Sequence, residues 1–314
     1  MNRSAKTLGF FLLATILAAA LLSDYRLDLV SVAVCYGLLA MSVDFQWGFA
    51  GTLNLGPAMS FGLGVYSGAV ILDAGYGIFL ALLAAVMLSS SLSMGIALAT
   101  LRSRRHDAIF GLATLTASLA LEQICVYLYD YTGGSNGLRV DSEFISSDLG
   151  PLSGNGAYFL MVSACCLCVL VGLRAVCRSR VGVLILATRD QPDKAALMGV
   201  NVARTRTIVA GATAAIAALA GVLFVPIHGI ASPGVFGVSL NVSVLVWIVM
   251  GGRGTIVGPL AAAVALRVLE SELGSHLQHG YLLVTGLILC ALVWKYPQGL
   301  AGVTPWLNAR ETHR

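Results

Sequence analysis

Residues 76–101 read YGIFLALLAAVMLSSSLSMGIALATL and contain no charged side chain. An α-helix needs about 20 apolar residues to cross the hydrocarbon core of a bilayer, so this stretch is long enough to span one. In lipid the backbone must satisfy its own hydrogen bonds, which leaves only helices and closed barrels. A barrel strand has about 10 residues, and this stretch is far longer. It therefore predicts a transmembrane helix.

The composition of the whole chain agrees with this interpretation. Of its 314 residues, 58% are hydrophobic and only 11% are charged, whereas a soluble domain is about 25% charged. This excludes an ordinary soluble enzyme, a disordered protein and a disulfide-rich secreted module. The seven cysteines show no CxxC spacing. We interpret them as buried apolar side chains, with metal or disulfide chemistry as the weaker alternative.

Runs of apolar residues along the chain predict an all-α fold, a polytopic bundle of about ten transmembrane helices in one domain over residues 1–314. The third helix is expected to be broken and Gly-rich near 48–64. The first is expected to be retained rather than cleaved as a signal peptide, and the last two could instead form a re-entrant hairpin. The predicted ranges are 7–23, 27–44, 56–73, 77–101, 107–128, 156–174, 207–227, 236–252, 254–272 and 280–296.

The distribution of lysine and arginine predicts the orientation of the bundle, because cytoplasmic loops are enriched in both. With ten crossings and both termini in the cytoplasm, Arg26 and Arg139 fall outside and Arg267 falls within a span. The other 16 of the 19 cationic residues then lie at the inner face. Two connections are long: a polar extracytoplasmic loop at 129–155 and a basic cytoplasmic loop at 175–206.

The cytoplasmic loop contains the signals of a short helix in DQPDKAALMG, residues 190–199. Asp190 is expected to cap its N-terminus, Pro192 suits the first turn, and Asp193 adds favourable charge there. Gly199 can end the helix. A helix of about two turns is marginal alone and needs a packing partner. It is either an interfacial connector or a helix that docks on another protein.

Nucleotide-binding and metal-binding motifs are missing from the sequence. It has no Walker A motif and no HExxH, so no cofactor, metal site or ATPase activity is expected. Nucleic-acid binding is also not expected, because the basic residues map to the inner edge of the membrane. The candidate charges within the predicted spans are Glu122, Arg267 and Glu270. Arg267 could pair with Glu122 across the bundle or with Glu270 at i,i+3.

Several stretches together resemble the permeases of branched-chain amino acid ABC importers. They are GFAGTLNLGPAMSFGLGVYSGA (48–69), TGGSNGL (132–138), ATRDQPDKAALMGVNVARTR (187–206), AGATAAIAALAGVL (210–223) and MGGRGTIVGPLAAA (250–263). The resemblance spans roughly residues 30–303. Asp44 stands where the family more often has Asn.

This resemblance implies an inner-membrane permease subunit of a bacterial ABC importer, without ATPase activity of its own. The expected partners are two ABC ATPase subunits, a second and homologous permease, a periplasmic or lipid-anchored solute-binding protein, and membrane lipid. The solute would be a branched-chain or other hydrophobic amino acid, with urea, short amides or aromatic acids as alternatives. The inner loop would dock on the ATPase through Arg189, Asp190, Asp193, Lys194, Ala196 and Gly199.

A neutral or zwitterionic solute can be handled by small polar groups, helix ends and backbone. The candidates for lining its path are Asn54, Ser60, Ser67, Thr114, Ser118, Asn241 and Ser243. Each hydroxyl residue could instead serve helix packing. A different class of function, an ion-coupled secondary transporter, would need a buried acid at the membrane midplane and no ATPase partner.

Overall fold

The computed structural model describes residues 22–101, 107–140 and 154–276, together with residues 15 and 286. Helix α1, residues Asp24–Asp44, continues directly into a π-helical turn at Phe45–Phe49, which we call the π turn. Two short strands, β1 (Leu138–Arg139) and β2 (Ile230–Ala231), pair antiparallel. The helices are α1 (Asp24–Asp44), α2 (Pro57–Asp73), α3 (Ile78–Thr100), α4 (Asp107–Tyr127), α5 (Asn155–Arg178), α6 (Arg180–Asp190), α7 (Pro192–Leu197), α8 (Val202–His228), α9 (Val238–Gly251) and α10 (Val257–His276). Single helical turns lie at Tyr129–Thr132, Gly134–Asn136 and Pro233–Phe236.

Five segments of the described chain are long and apolar enough to cross a membrane. They are Asp24–Phe49, Ile78–Thr100, Ala108–Tyr127, Asn155–Arg178 and Val202–His228. The eight spans predicted between residues 27 and 272 each coincide with a helix of the structure, with shifts at their ends. The predicted spans at 7–23 and 280–296 lie outside the described residues, apart from residues 15 and 286. The count of ten crossings stays a prediction.

Helix α8 is the centre of the bundle and packs against α1, α2 and α3. Its backbone approaches that of α2 so closely that side chains are excluded between them. A Cβ on Gly64 would overlap the Ala218 carbonyl oxygen, and one on Gly221 would overlap that of Phe61. Small residues allow this approach, which yields van der Waals packing that lipid cannot replace. The small-residue stretch of α8 therefore positions α2.

Three serines of α3 fasten that helix to α8. Ser89, Ser90 and Ser93 donate hydrogen bonds to the carbonyl oxygens of Ala214, Gly211 and Ala210, each at 3.1 Å. In lipid such hydroxyls find no water, so bonds between helices replace it. The uncharged stretch 76–101 thus carries its own polar attachment, and its remaining exposed face is apolar, with Phe79, Leu83 and Met87 among its exposed side chains.

The two ends of the bundle differ in composition. At one end, which we call the tyrosine end, five exposed tyrosines lie where helices begin or finish: Tyr25, Tyr76, Tyr127, Tyr129 and Tyr131. Arg26 of α1 and Glu272 of α10 meet there at 3.9 Å. At the opposite end, the arginine end, lie Arg178, Arg180, Arg189, Lys194, Arg204 and Arg253.

The basic loop predicted at 175–206 is more helical than expected. Helix α5 extends to Arg178, and α6 fills residues 180–190. Ser179 caps α6 by accepting a hydrogen bond from the Gly182 amide at 3.4 Å. Helix α6 packs against α5, α8 and the π turn. The segment that leads to α7 is therefore a rigid, packed helix rather than an open loop.

Candidate functional site

Helix α7 at the arginine end has most of the helix signals read from the sequence. Pro192 occupies the first turn. Gly199 has φ +87°, and the amides of Gly199 and Val200 donate to the carbonyls of Ala196 and Ala195 at 3.0 Å each. This pair of bonds is a Schellman motif, which requires a left-handed residue and so favours glycine. The predicted helix end at Gly199 is confirmed.

The predicted N-terminal cap is wrong. Helix α6 runs through Asp190, so Gln191 takes the position before α7. The Asp190 carboxylate instead accepts a hydrogen bond from Arg189 Nε at 2.7 Å. The two helices are separated by a single residue, Gln191. We call α6, Gln191 and α7 together the elbow.

The elbow presents α7 outward. Ala195 is buried against the rest of the chain and Ala196 is half-buried. The side chains of Leu197 and Met198 are 87% and 86% exposed, and Asp193 and Lys194 are also exposed. Two large apolar side chains are thus exposed beside charged groups, at the end of a helix too short to be stable alone.

Arg189, predicted to face the ATPase, points inward instead. Its guanidinium Nη1 donates to the carbonyl oxygen of Gly48 in the π turn. A Cβ on Gly51 would lie 2.6 Å from Arg189 Cγ, so the arginine stem rests on this glycine. Only 21% of the Arg189 side chain is exposed. The residue therefore joins the elbow to the end of α1.

The π turn also holds the connection between α9 and α10. The Asp44 carboxylate, fully buried, accepts hydrogen bonds from the amides of Gly254 at 2.6 Å and Ile256 at 2.9 Å. Ile256 has φ +61°, a conformation that is rare for a β-branched residue. Arg253 donates to the Trp47 carbonyl at 2.9 Å and lies over its ring at 4.4 Å. These contacts fix the start of α10 against α1.

We expect Asp44→Leu to destabilise the protein by about 2 kcal/mol or more, because each buried amide left without an acceptor costs about 1–3 kcal/mol. Asp44→Asn keeps one carbonyl oxygen and is the matched control, with a smaller loss expected. The measurement is the unfolding temperature of each purified variant in the same detergent. Equal unfolding temperatures for Asp44→Leu and wild type would contradict this assignment.

Polar side chains meet again where α2 begins. Between the π turn and α2, residues 50–56 are not helical. Within them Asn54 donates to Gln46 Oε1 at 3.3 Å and accepts from the Gly56 amide at 2.9 Å. The Thr213 hydroxyl of α8 lies 3.2 Å from the same Gln46 oxygen and 3.0 Å from the Val209 carbonyl oxygen of its own helix, and its one hydrogen can be donated to either.

One turn further, Asn241 of α9 accepts a hydrogen bond from the Ala58 amide at 2.9 Å. Its amide nitrogen lies 3.4 Å from the hydroxyl of Ser118, which in turn donates to the Phe236 carbonyl at 2.7 Å. At 1.5 Å per residue, Ser118 lies about 16 Å along α4 from Asp107. That is about half of a 30 Å hydrocarbon core. The start of α2 is therefore deep within the bundle.

The remaining path candidates divide into two groups. The hydroxyls of Ser67, Thr114 and Ser243 bond to carbonyls of their own helices, at 2.6 Å, 2.8 Å and 2.9 Å. Ser60 is buried, and its hydroxyl has no hydrogen-bond partner within the described part of the chain.

The structure thus brings together Asn54, Ser118 and Asn241 around the start of α2. Gln46 and Thr213, which no sequence motif indicated, complete this group.

Glu122, Arg267 and Glu270, the ionisable residues expected within the spans, lie towards the tyrosine end. Arg267 contacts Glu270 at 3.2 Å, the local i,i+3 alternative. Its guanidinium also lies 5.5 Å from the centre of the Tyr36 ring. Glu122 lies beside Gly237 at the start of α9. The alternative Glu122–Arg267 pair is not observed among the described residues.

The sequence of the chain is similar to those of known proteins. The permease protein LivM of the high-affinity branched-chain amino acid transport system of Salmonella typhimurium (strain LT2) is 24% identical over 323 residues, covering 94% of this chain and 75% of that protein. The protein of the same name from Escherichia coli (strain K12) is 23% identical over the same shares. No solved structure matches the chain. The family model described as the permease component of the branched-chain amino acid transport system matches residues 25–292, and the chain therefore belongs to this family of membrane permeases.

Proposed function

We propose that this chain is the membrane-spanning permease subunit of an ABC importer, and that its ATP-driven stroke is delivered from a separate subunit through α7. The observation that carries the proposal is the exposed pair Leu197 and Met198 on a short helix at the arginine end. A coupling surface must remain accessible in the isolated subunit, and this one does.

The proposal places the arginine end in the cytoplasm. Cationic residues are enriched in cytoplasmic loops, and tyrosines are enriched at membrane interfaces. The opposite end, with its exposed tyrosines and the paired strands β1 and β2, would then meet the solute-binding protein. Both termini in the cytoplasm and ten crossings remain part of this proposal, as does location in a bacterial inner membrane.

The proposed solute is a branched-chain or another hydrophobic amino acid. The printed names of the two relatives support this choice, since both belong to branched-chain amino acid transport systems. The start of α2 suits a zwitterion, because Asn54, Ser118 and Asn241 offer neutral polar groups beside a helix N-terminus deep in the bundle. Urea, a short amide or an aromatic acid remains the alternative, since neutral groups discriminate weakly among such solutes.

The mechanism we propose is alternating access with a second permease subunit. Binding of ATP changes the distance between two ATPase subunits, and α7 follows the one on which it docks. The two states of the permease must therefore differ in their contacts with the ATP-bound and ATP-free partner. An ion-coupled transporter is the rival. Against it, Asp44, the buried acid that an ion could use, already holds two backbone amides.

The test is co-expression with ABC ATPase, second-permease and binding-protein subunits from the same genome, followed by purification on a tag carried by this chain. We expect the ATPases to be retained during purification. We also expect reconstituted vesicles to take up labelled leucine only when ATP is supplied on the side of the membrane where the ATPases lie. A preparation without this chain is the control. Uptake driven by an ion gradient in the absence of ATPase subunits would overturn the proposal, and preferential uptake of urea would overturn the solute alone.

A further inference from the structure

The π turn and Asp44, immediately before it, are contacted by four segments of the chain. Asp44 holds Gly254 and Ile256. Gln46 Oε1 receives a hydrogen bond from Asn54 and lies 3.2 Å from the Thr213 hydroxyl. The next two carbonyls, of Trp47 and Gly48, receive hydrogen bonds from Arg253 and Arg189 respectively. Three of the five residues of this short turn are thus attached to other parts of the bundle.

Of these attachments, Arg189 is the one that comes from the elbow. It is the penultimate residue of α6, and one residue separates α6 from α7. The end of α6 is held in place from the other side, because Arg206 of α8 donates to the Thr188 carbonyl at 3.0 Å. Only Gln191 links α6 to α7, so a displacement of α7 that is not absorbed at Gln191 is passed to the end of α6 and to Arg189.

The contacts continue from Gly48 to the middle of the bundle. Gln46, two residues before Gly48, accepts a hydrogen bond from Asn54, and Asn54 accepts one from the amide of Gly56 at the start of α2. The Ala58 amide then binds Asn241 of α9. A π turn carries one residue more than an α-helical turn and occurs frequently at functional sites. Conversion of a π turn into an α-helical turn, or the reverse, is a discrete change rather than a continuous bend.

We propose that Arg189 is a positioning residue that couples α7 to the π turn, so that movement of the elbow changes the π turn and, through Gln46 and Asn54, the start of α2. This rests on the proposed function and deepens it. It assigns Arg189 to the inside of the permease rather than to the ATPase interface. A chain of contacts becomes a coupling route only when a two-state element is shown to respond to both of its ends.

The first test compares Arg189→Met with Arg189→Lys in the reconstituted complex. Methionine keeps the stem but cannot donate, whereas the lysine ammonium can still reach a carbonyl. The matched control is Arg204→Met, which removes the same charge from an exposed position at the start of α8. For each complex we measure retention of the ATPase subunits, the rate of ATP hydrolysis and the rate of solute uptake.

For Arg189→Met we expect normal retention of the ATPases and a rate of ATP hydrolysis within about twofold of wild type. The rate of uptake should fall by about tenfold or more, as lost coupling between two sites typically gives. Arg189→Lys should recover part of the uptake, and Arg204→Met should match wild type. Loss of ATPase retention would place Arg189 at the interface and overturn the proposal. Unchanged uptake would overturn it as well.

The second test uses the wild-type complex and so does not depend on a variant that folds. Amide hydrogen exchange over residues 45–56 is measured with and without a non-hydrolysable ATP analogue. We expect the exchange of this segment and of the elbow to differ between the two states, and identical exchange in both states would overturn the proposal. If wild type retains no ATPase at all, the proposed function itself fails, which is a different result from uncoupling in Arg189→Met alone.

Discussion

Gly221→Val is expected to leave little or no folded protein. Gly221 lies where α8 crosses α2, and any Cβ there would overlap the Phe61 carbonyl oxygen and approach the Val65 amide nitrogen to 2.8 Å. Both neighbours are backbone atoms, so no side chain can move aside. The two helices would have to separate along the seam that Gly64 and Ala218 also form. Overpacking a core costs about 1–3 kcal/mol and more where the neighbours are rigid.

Gly172→Val is the matched control for this prediction. Gly172 lies in the middle of α5, is exposed, and has no heavy atom of the described residues within 4 Å of an added Cβ. The measurement is the yield of monodisperse protein by size-exclusion chromatography after extraction in mild detergent. We expect yield close to wild type for Gly172→Val and almost none for Gly221→Val. Similar yields from both variants would show that the α2–α8 contact is not as close as described.

Leu197→Asp combined with Met198→Asp is expected to abolish transport while the permease still folds. These side chains are the most exposed large apolar groups of α7, so removing them loses little within the chain. In a complex they would be buried, and apolar anchors at the centre of an interface are each worth about 2 kcal/mol or more. Because every 1.4 kcal/mol is about tenfold in affinity, two such losses weaken the association by roughly 1000-fold.

Retention of the ATPase subunits during purification is the direct measurement, with uptake as the second. Tyr131→Asp introduces one negative charge in place of an exposed aromatic side chain at the tyrosine end and serves as the control. We expect it to retain the ATPases fully. If the α7 double variant retained them equally well, the docking surface would have to lie elsewhere at the arginine end.

Local signals were enough to predict much of the architecture. Apolar runs placed helices at α1 to α5 and α8 to α10, because a transmembrane helix depends mainly on its own length and hydrophobicity. Pro192 and Gly199 placed the ends of α7, since each acts through the backbone of its immediate neighbours. The prediction that Asp190 caps α7 is wrong for a related reason. The residues before it, RVGVLILATR, form a helix that runs through the expected cap position.

Contacts between distant segments could not be predicted in this way. Arg189 binds a carbonyl 141 residues earlier in the chain, and no local pattern indicates that direction. The sequence also carries no signal for Gln46, because an isolated Gln in an apolar run has no characteristic spacing. Among the path candidates, composition could not separate Ser118 and Asn241, which bond across helices, from Ser67 and Ser243, which bond within their own.

Docking of an ATPase subunit on α7 can be detected by photo-crosslinking in the assembled complex. A photo-reactive amino acid is placed at position 198, and a second sample carries the same group at position 131. We expect irradiation at 198 to give a covalent adduct with an ATPase subunit and irradiation at 131 to give none with that subunit. An adduct at 198 with lipid or with this chain itself, and no ATPase adduct, would show that α7 is not the docking site.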